Sequence, residues 1–98
     1  MIHELRTYTL VPGGTHEYLR IYDETARALQ TRTLGNLVAL MVPESGDLNQ
    51  LVFLWAYDSH EARASRRAQL MADPGFTEFR KSVRHLMVRQ DSRLLTVA

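Results

Sequence analysis

The sequence predicts an α+β chain whose elements run β-α-β-β-α-β, and three observations predict it. Residues alternate along Ile2 to Leu10 and then recur at helical spacing from Tyr18 to Leu29. Two apolar runs, Asn36 to Val42 and Leu48 to Tyr57, flank the turn-forming Pro43-Glu44-Ser45-Gly46-Asp47 as the arms of a hairpin. A second helical stretch is interrupted at Asp73-Pro74 and followed by a short closing strand.

The first strand sends Ile2, Glu4, Arg6, Tyr8 and Leu10 to one face and His3, Leu5, Thr7 and Thr9 to the other. Both sets mix apolar and polar groups, as expected where one face meets helices and the other a partly wet interface or cavity. Val11-Pro12-Gly13-Gly14 ends it: proline fixes φ, and glycine accepts positive φ. Thr15 is placed to cap a helix with Glu17 near its positive end. Tyr18, Leu19, Tyr22, Ala26 and Leu29 form its inward stripe, and Gly35 marks its exit.

The hairpin's second arm, from Asn49 to Tyr57, is apolar on both faces and carries the chain's single tryptophan, so it belongs inside the sheet. Asp58, or Ser59 in competition with it, caps a helix running to Ala72. Glu61, Arg63, Arg66 and Arg67 fall on its outer side, and Ala64, Ala68 and Met71 form a small-residue stripe for close packing. After Asp73-Pro74, Phe76, Phe79, Val83 and Leu86 or Met87 make the next buried face, and Ser92 to Val97 closes the sheet. The order is ferredoxin-like: a four-stranded antiparallel sheet with strands one and three central, helices on one face, and the other face bare. Apolar residues on that bare face call for a second copy of the chain, sheet against sheet.

At 98 residues the chain reads as one domain, residues 1–98, that buries only about two thirds of its unfolded surface, a shortage a partner subunit relieves. Hydrophobic residues at 45% and charged residues at 23% exclude a disordered chain. No apolar run approaches the roughly 20 residues of a membrane-spanning helix. Residues 1–49 hold four arginines against six acids, and residues 50–98 eight basic residues against five acids. That imbalance is too mild for a nucleic-acid binder. Without cysteine or a targeting segment, the expected compartment is the cytoplasm.

Glu4-Leu5-Arg6-Thr7-Tyr8-Thr9-Leu10 with Pro12-Gly13, Leu34-Gly35-Asn36-Leu37-Val38, Leu48-Asn49-Gln50, Leu54-Trp55-Ala56-Tyr57-Asp58-Ser59, Glu61-Ala62-Arg63 with Arg66-Arg67, and Val88-Arg89-Gln90-Asp91-Ser92-Arg93-Leu94-Leu95 closely resemble the NIPSNAP family. The resemblance covers nearly the whole chain in the right order. It implies a dimeric α+β barrel, two ferredoxin-like subunits joined by their sheets. Eukaryotic members are associated with mitochondria, vesicle traffic and mitophagy signalling. Superfamily cousins include cofactor-free monooxygenases of aromatic polyketides, haem-degrading enzymes and isomerases. Fold alone does not choose among these. Many relatives carry histidine where this chain has Phe53, so any chemistry resting on that histidine is absent here.

The sharpest functional constellation lies on strands one and three. Arg6 could hold an anion, Tyr8 or Tyr57 donate to a substrate oxygen, and Trp55 stack on a flat ring, with Asn49 nearby. The competing use of Glu4 and Arg6 is an ion-pair network across the dimer, and that of Asn49 is tying a turn to the sheet. Tyr18 and Tyr22 are core aromatics, or pocket walls where the cousins bind. Arg63, Arg66 and Arg67 are a solvated face or a dock for an acidic partner. His3, His16, His60 and His85 include no pair at one-turn spacing, so neither a metal nor a cofactor is expected. There is no serine elbow or phosphate loop. Two readings follow: a homodimeric small-molecule-binding protein or cofactor-free enzyme acting on an aromatic or polyketide-like compound, and a non-catalytic interaction module. A deep aromatic pocket under the helices favours the first, and a sheet packed without a cavity the second.

Overall fold

A computed structural model describes residues 1–98. Its elements are β1 (Ile2–Leu10), α1 (Gly14–Thr25), α2 (Arg27–Leu34), β2 (Asn36–Met41), β3 (Gln50–Tyr57), α3 (His60–Ala72), α4 (Pro74–Val83) and, after a 3-10 turn at Arg84–Leu86, β4 (Met87–Leu95). The strands form one antiparallel sheet in the order β2-β3-β1-β4, with strands one and three central as expected.

Register fixes what each face carries. Glu4 lies opposite Trp55, Arg6 opposite Phe53 and Tyr8 opposite Leu51, all on the helix side. Leu51, Phe53, Trp55 and Tyr57 are buried there against Tyr18, Tyr22, Leu34, Leu70 and Phe79. Leu5 lies opposite Leu54, and Val52 opposite Thr7 and Met41, on the other side. The molecule is 18 Å through its thinnest dimension, one helix layer on one sheet layer, so that second sheet face is uncovered.

Four local differences from the sequence expectations have physical causes. The first helix is two: Thr25 Oγ1 donates to the Ile21 carbonyl at 2.7 Å, a back-bond that bends helices, and Ala26 leaves helical geometry at φ −134°. Its cap is Gly13, left-handed at φ 77°, rather than Thr15, because the turn places glycine where the chain must reverse. Of the two competing caps, Ser59 is the one used, accepting from the Ala62 N–H at 3.0 Å. β4 begins at Met87 rather than Ser92. Arg89 to Arg93 carries no apolar alternation because this is a sheet edge, held by its backbone ladder to β1 with side chains reaching water.

α3 departs furthest. Ala64, Ala68 and Met71 are exposed, while Arg63, Arg67 and Leu70 turn toward the sheet. An arginine faces inward because a buried carboxylate, Glu4, meets it there.

The second crossover turns at Asp73 as expected. Its carboxylate accepts from the N–H groups of Gly75 (2.8 Å) and Phe76 (3.2 Å), and Pro74 occupies the first helical position. Asp73→Ala is expected to cost about 1 kcal/mol in urea unfolding. A loss below about 0.3 kcal/mol would show the cap to be incidental.

Candidate functional site

Glu4, Arg6 and Tyr8 point to the helix side at successive alternate positions of β1, so one strand delivers a carboxylate, a guanidinium and a phenol in line. Glu4 is wholly buried. Its Oε1 accepts from Arg63 Nε at 3.0 Å, and its Oε2 from Arg63 Nη2 (2.9 Å), Arg6 Nη1 (2.9 Å) and Ser92 Oγ (2.6 Å). Burial pushes its pKa up, but the hydrogen bonds from Arg63, Ser92 and Arg6 together outweigh that and hold it at about 2. Glu4 is therefore a fixed anion that ties α3 and β4 to β1. The network closes within one chain, on the helix side of the sheet, rather than on the bare face where an ion pair across a dimer was expected.

Arg6 is oriented by what it touches. Besides Glu4, its Nε donates to the Tyr8 hydroxyl at 3.0 Å and its Nη2 to Gln90 Oε1 at 3.3 Å, and its guanidinium carbon lies 5.6 Å from the Tyr8 ring centre. Burial disfavours its charge, while Tyr8 and Glu4 raise its pKa further. Because Tyr8 accepts from Arg6, its own hydroxyl proton is free for another acceptor.

These groups floor a cleft of about 210 Å³ between the β1–β4 half of the sheet and the α3–α4 side of the helix layer. Tyr18, Phe76, Phe79 and Val83 supply one wall, Leu70 and Met71 another, with Met87 and Gln90 from β4 and Gln30 from α2. Tyr18 meets Phe79 edge to face, with ring centres 5.6 Å apart, and stands 6.2 Å from Tyr8. Burial, together with Tyr8 and Tyr22, pushes the Tyr18 hydroxyl well above the ordinary phenol range, so it remains protonated and can only donate or accept a hydrogen bond. Arg67, Arg80 and Arg84 complete the lining.

Of the seven sequence candidates, the structure thus brings Arg6, Tyr8 and Tyr18 together. Tyr22 stands behind that wall, fully buried, its hydroxyl donating to Gln30 Oε1. Trp55 lies parallel to Phe53 in the core, ring centres 6.3 Å apart and planes 2° apart, and does not line the cleft. Phe53 in turn packs on Tyr8 (5.3 Å) and Tyr22 (5.5 Å), so the position is an aromatic brace. Tyr57 is buried with an unpaired hydroxyl, raised by burial and by Glu4, and borders a separate hollow beside Gly35 and Arg66. Asn49 ties turns: its Oδ1 accepts from Gly13 N–H (3.3 Å), its N–H donates to Asp47 Oδ1 (3.0 Å), and its carbonyl accepts from Leu10 N–H (2.7 Å).

Sequence reasoning missed Arg80, Arg84, Gln90 and Ser92, and it placed Arg63 and Arg67 on the outer side of their helix. A signal existed in Arg63, Arg67 and Leu70, which share a helix face at four- and three-residue spacing, and in Arg80 and Arg84, one turn apart beside the Phe76–Val83 stripe. The three arginines of α3 do not form one solvated face. Arg63 clamps Glu4, Arg66 donates to the Thr33 carbonyl at 3.2 Å, and Arg67 enters the cleft. No three His, Asp or Glu side chains are grouped to hold a metal ion, and no helix is long and apolar enough to cross a membrane.

Against known proteins, the family model described as NIPSNAP matches residues 3–98. A NIPSNAP family protein of unknown function from Agrobacterium tumefaciens is 36% identical and superposes with a TM-score of 0.96, over 100% of this chain and 88% of that one. Protein NipSnap homolog 3A of Homo sapiens is 28% identical over 95 residues, 96% of this chain but 38% of the human protein, so the chain spans less than two fifths of that relative's length. A putative antibiotic biosynthesis monooxygenase from Nitrosomonas europaea, 12% identical, superposes with a TM-score of 0.73 over 99% of this chain and 98% of its own, a likeness of fold.

Proposed function

The chain belongs to the NIPSNAP family, and from that premise we propose that it is a small-molecule-binding protein, homodimeric through its bare sheet face, that takes an aromatic or polyketide-like compound in the cleft under its helices. The observation that carries the proposal is the Arg6–Tyr8 pair, hydrogen-bonded at 3.0 Å on the floor of an aromatic-walled cavity. A part-buried pair of this kind, with one phenolic proton unused, is a hydrogen-bond donor aimed at a ligand oxygen. The surrounding rings supply the flat apolar contact. Tyr8, Tyr18 and Arg6 have these roles in the proposal, whereas Tyr22, Phe53 and Trp55 brace the wall.

The volume of about 210 Å³ sits below the roughly 300–1,000 Å³ of drug-sized pockets, so the ligand has one or two rings. The cleft offers donors and cations but no histidine or lining carboxylate as a general base, and binding rather than a named reaction is what its chemistry supports.

Titration with 2-naphthol, followed by amide chemical shifts, tests the proposal. Shifts are expected at Tyr8, Phe79, Val83 and Met87, and Tyr8→Phe is expected to weaken binding about tenfold, the net worth of one hydrogen bond. No shifts, or shifts confined to the Leu5–Leu54 face, would favour the interaction-module reading instead.

A further inference from the structure

Charge around the cleft is unbalanced in a way that the packing does not need. Glu4 is already held by two arginines, Arg6 and Arg63, so that network carries one net positive charge before anything else is counted. Arg67, Arg80 and Arg84 also line the cleft, yet none makes a salt bridge or side-chain hydrogen bond, and no aspartate or glutamate contributes to the lining. Of the acids near the cleft, Asp73 caps α4, Glu78 faces Lys81 at 3.5 Å and Glu17 lies 3.8 Å from His85, while Glu61, at the start of α3, is not part of the lining. Arg80 and Arg84 are one helical turn apart, a like-charge spacing that costs stability unless an anion sits between the pair.

We infer that the cleft selects an anion, a planar aromatic carboxylate whose ring lies among Tyr8, Tyr18 and Phe79 and whose carboxylate is held at the mouth by Arg67, Arg80 and Arg84. This rests on the cleft being the ligand site, and adds to it the charge of the ligand. Guanidinium forks match a carboxylate in two parallel hydrogen bonds, and they do so more strongly next to apolar walls that exclude water. A carboxylate fits better than a phosphate dianion because stripping water from two charges in a cleft walled by tyrosine, phenylalanine, valine and methionine costs more than stripping it from one. Arg6 is not the anchor, since each of its three nitrogens already donates, to Tyr8, Glu4 and Gln90, and Glu4 balances its charge.

Calorimetric titration of the full chain with 2-naphthoate and with its neutral isostere 2-naphthamide tests the inference. The carboxylate is expected to bind at least about tenfold tighter, with the ratio falling as salt is added. In the double variant Arg80→Gln, Arg84→Gln the ratio is expected to fall to about twofold while the amide binds as before. Both side chains are exposed, so the core is untouched. Equal affinities for the two probes would overturn the anion preference and leave the cleft as a site for neutral rings. An undiminished ratio in the double variant would overturn the assignment to Arg80 and Arg84. Binding of neither probe would remove the cleft reading along with the inference.

Discussion

Replacing Glu4 with alanine is expected to destabilise the fold by about 3–5 kcal/mol, a large part of the roughly 5–15 kcal/mol that a domain has. The loss comes less from the missing carboxylate than from what it leaves behind: Arg63 and Arg6 lose their shared anion and Ser92 its acceptor, around a carboxylate that is itself wholly buried. Glu4→Gln should cost less, since the amide oxygen still accepts, but it leaves both arginines without a counter-charge. The same carboxylate governs acid sensitivity. Its folded pKa of about 2 lies below the ordinary 4.5, so the unfolded chain takes up the proton first as pH falls. The contribution is complete above pH 4.5 and is lost progressively down to pH 2, about 3 kcal/mol in all. Urea midpoints measured across that window should fall steeply for the native chain and lose most of that slope in Glu4→Gln. A native midpoint insensitive to pH there, or an alanine variant within about 1 kcal/mol of native, would mean that the network is ornamental.

That network also shows where a linear sequence stops being informative. The period-2 alternation of β1 placed Glu4, Arg6 and Tyr8 on one face, and the double-sided apolarity of Val52 to Trp55 placed β3 inside the sheet, because those patterns are local consequences of strand geometry. Which way α3 faces is not local. Its small residues look like a packing stripe by composition, yet Arg63 is turned inward by a carboxylate 59 positions earlier in the chain. The edge strand β4 was half visible for a related reason. An edge is held by its backbone ladder, so Arg89 to Arg93 needs no apolar pattern and signals none.

The cleft was legible in its floor and illegible in its rim. Arg6, Tyr8 and Tyr18 are polar or aromatic groups at positions that face the core, an oddity visible in the sequence. Arg80 and Arg84 are exposed arginines on a helix end, the commonest of sights, and only the cavity beside them gives their spacing a meaning. Trp55 and Tyr57 misled in the opposite sense, since aromatic residues on a central strand are as useful to a core as to a ligand. Phe53 stacked on Trp55 shows the core use.

The proposed pairing of sheet faces makes the second large effect, and it is separable from folding. Leu5, Val52, Leu54 and Ala39 are half-buried in one chain, while Met41, 43% exposed, extends the patch toward the β2 edge. All of them face away from the helices. Leu54→Lys puts an ammonium on the central strand of that face, where a single chain leaves it in water but a closed pair of sheets buries it without a partner. The single chain should therefore keep its helices and its cleft, while association weakens by about 3 kcal/mol, more than about a hundredfold in dissociation constant. Sedimentation equilibrium reads this directly: a native dimer at micromolar concentration and a monomeric variant with native circular dichroism. Thermal unfolding supplies an independent check, because a chain stabilised by its own copy melts at a temperature that rises with concentration, and the variant should lose that dependence. A native chain that sediments as a monomer would leave the Leu5–Leu54 face without its partner and end the barrel proposal. The cleft on the other side of the sheet would be unaffected, since none of its walls comes from that face.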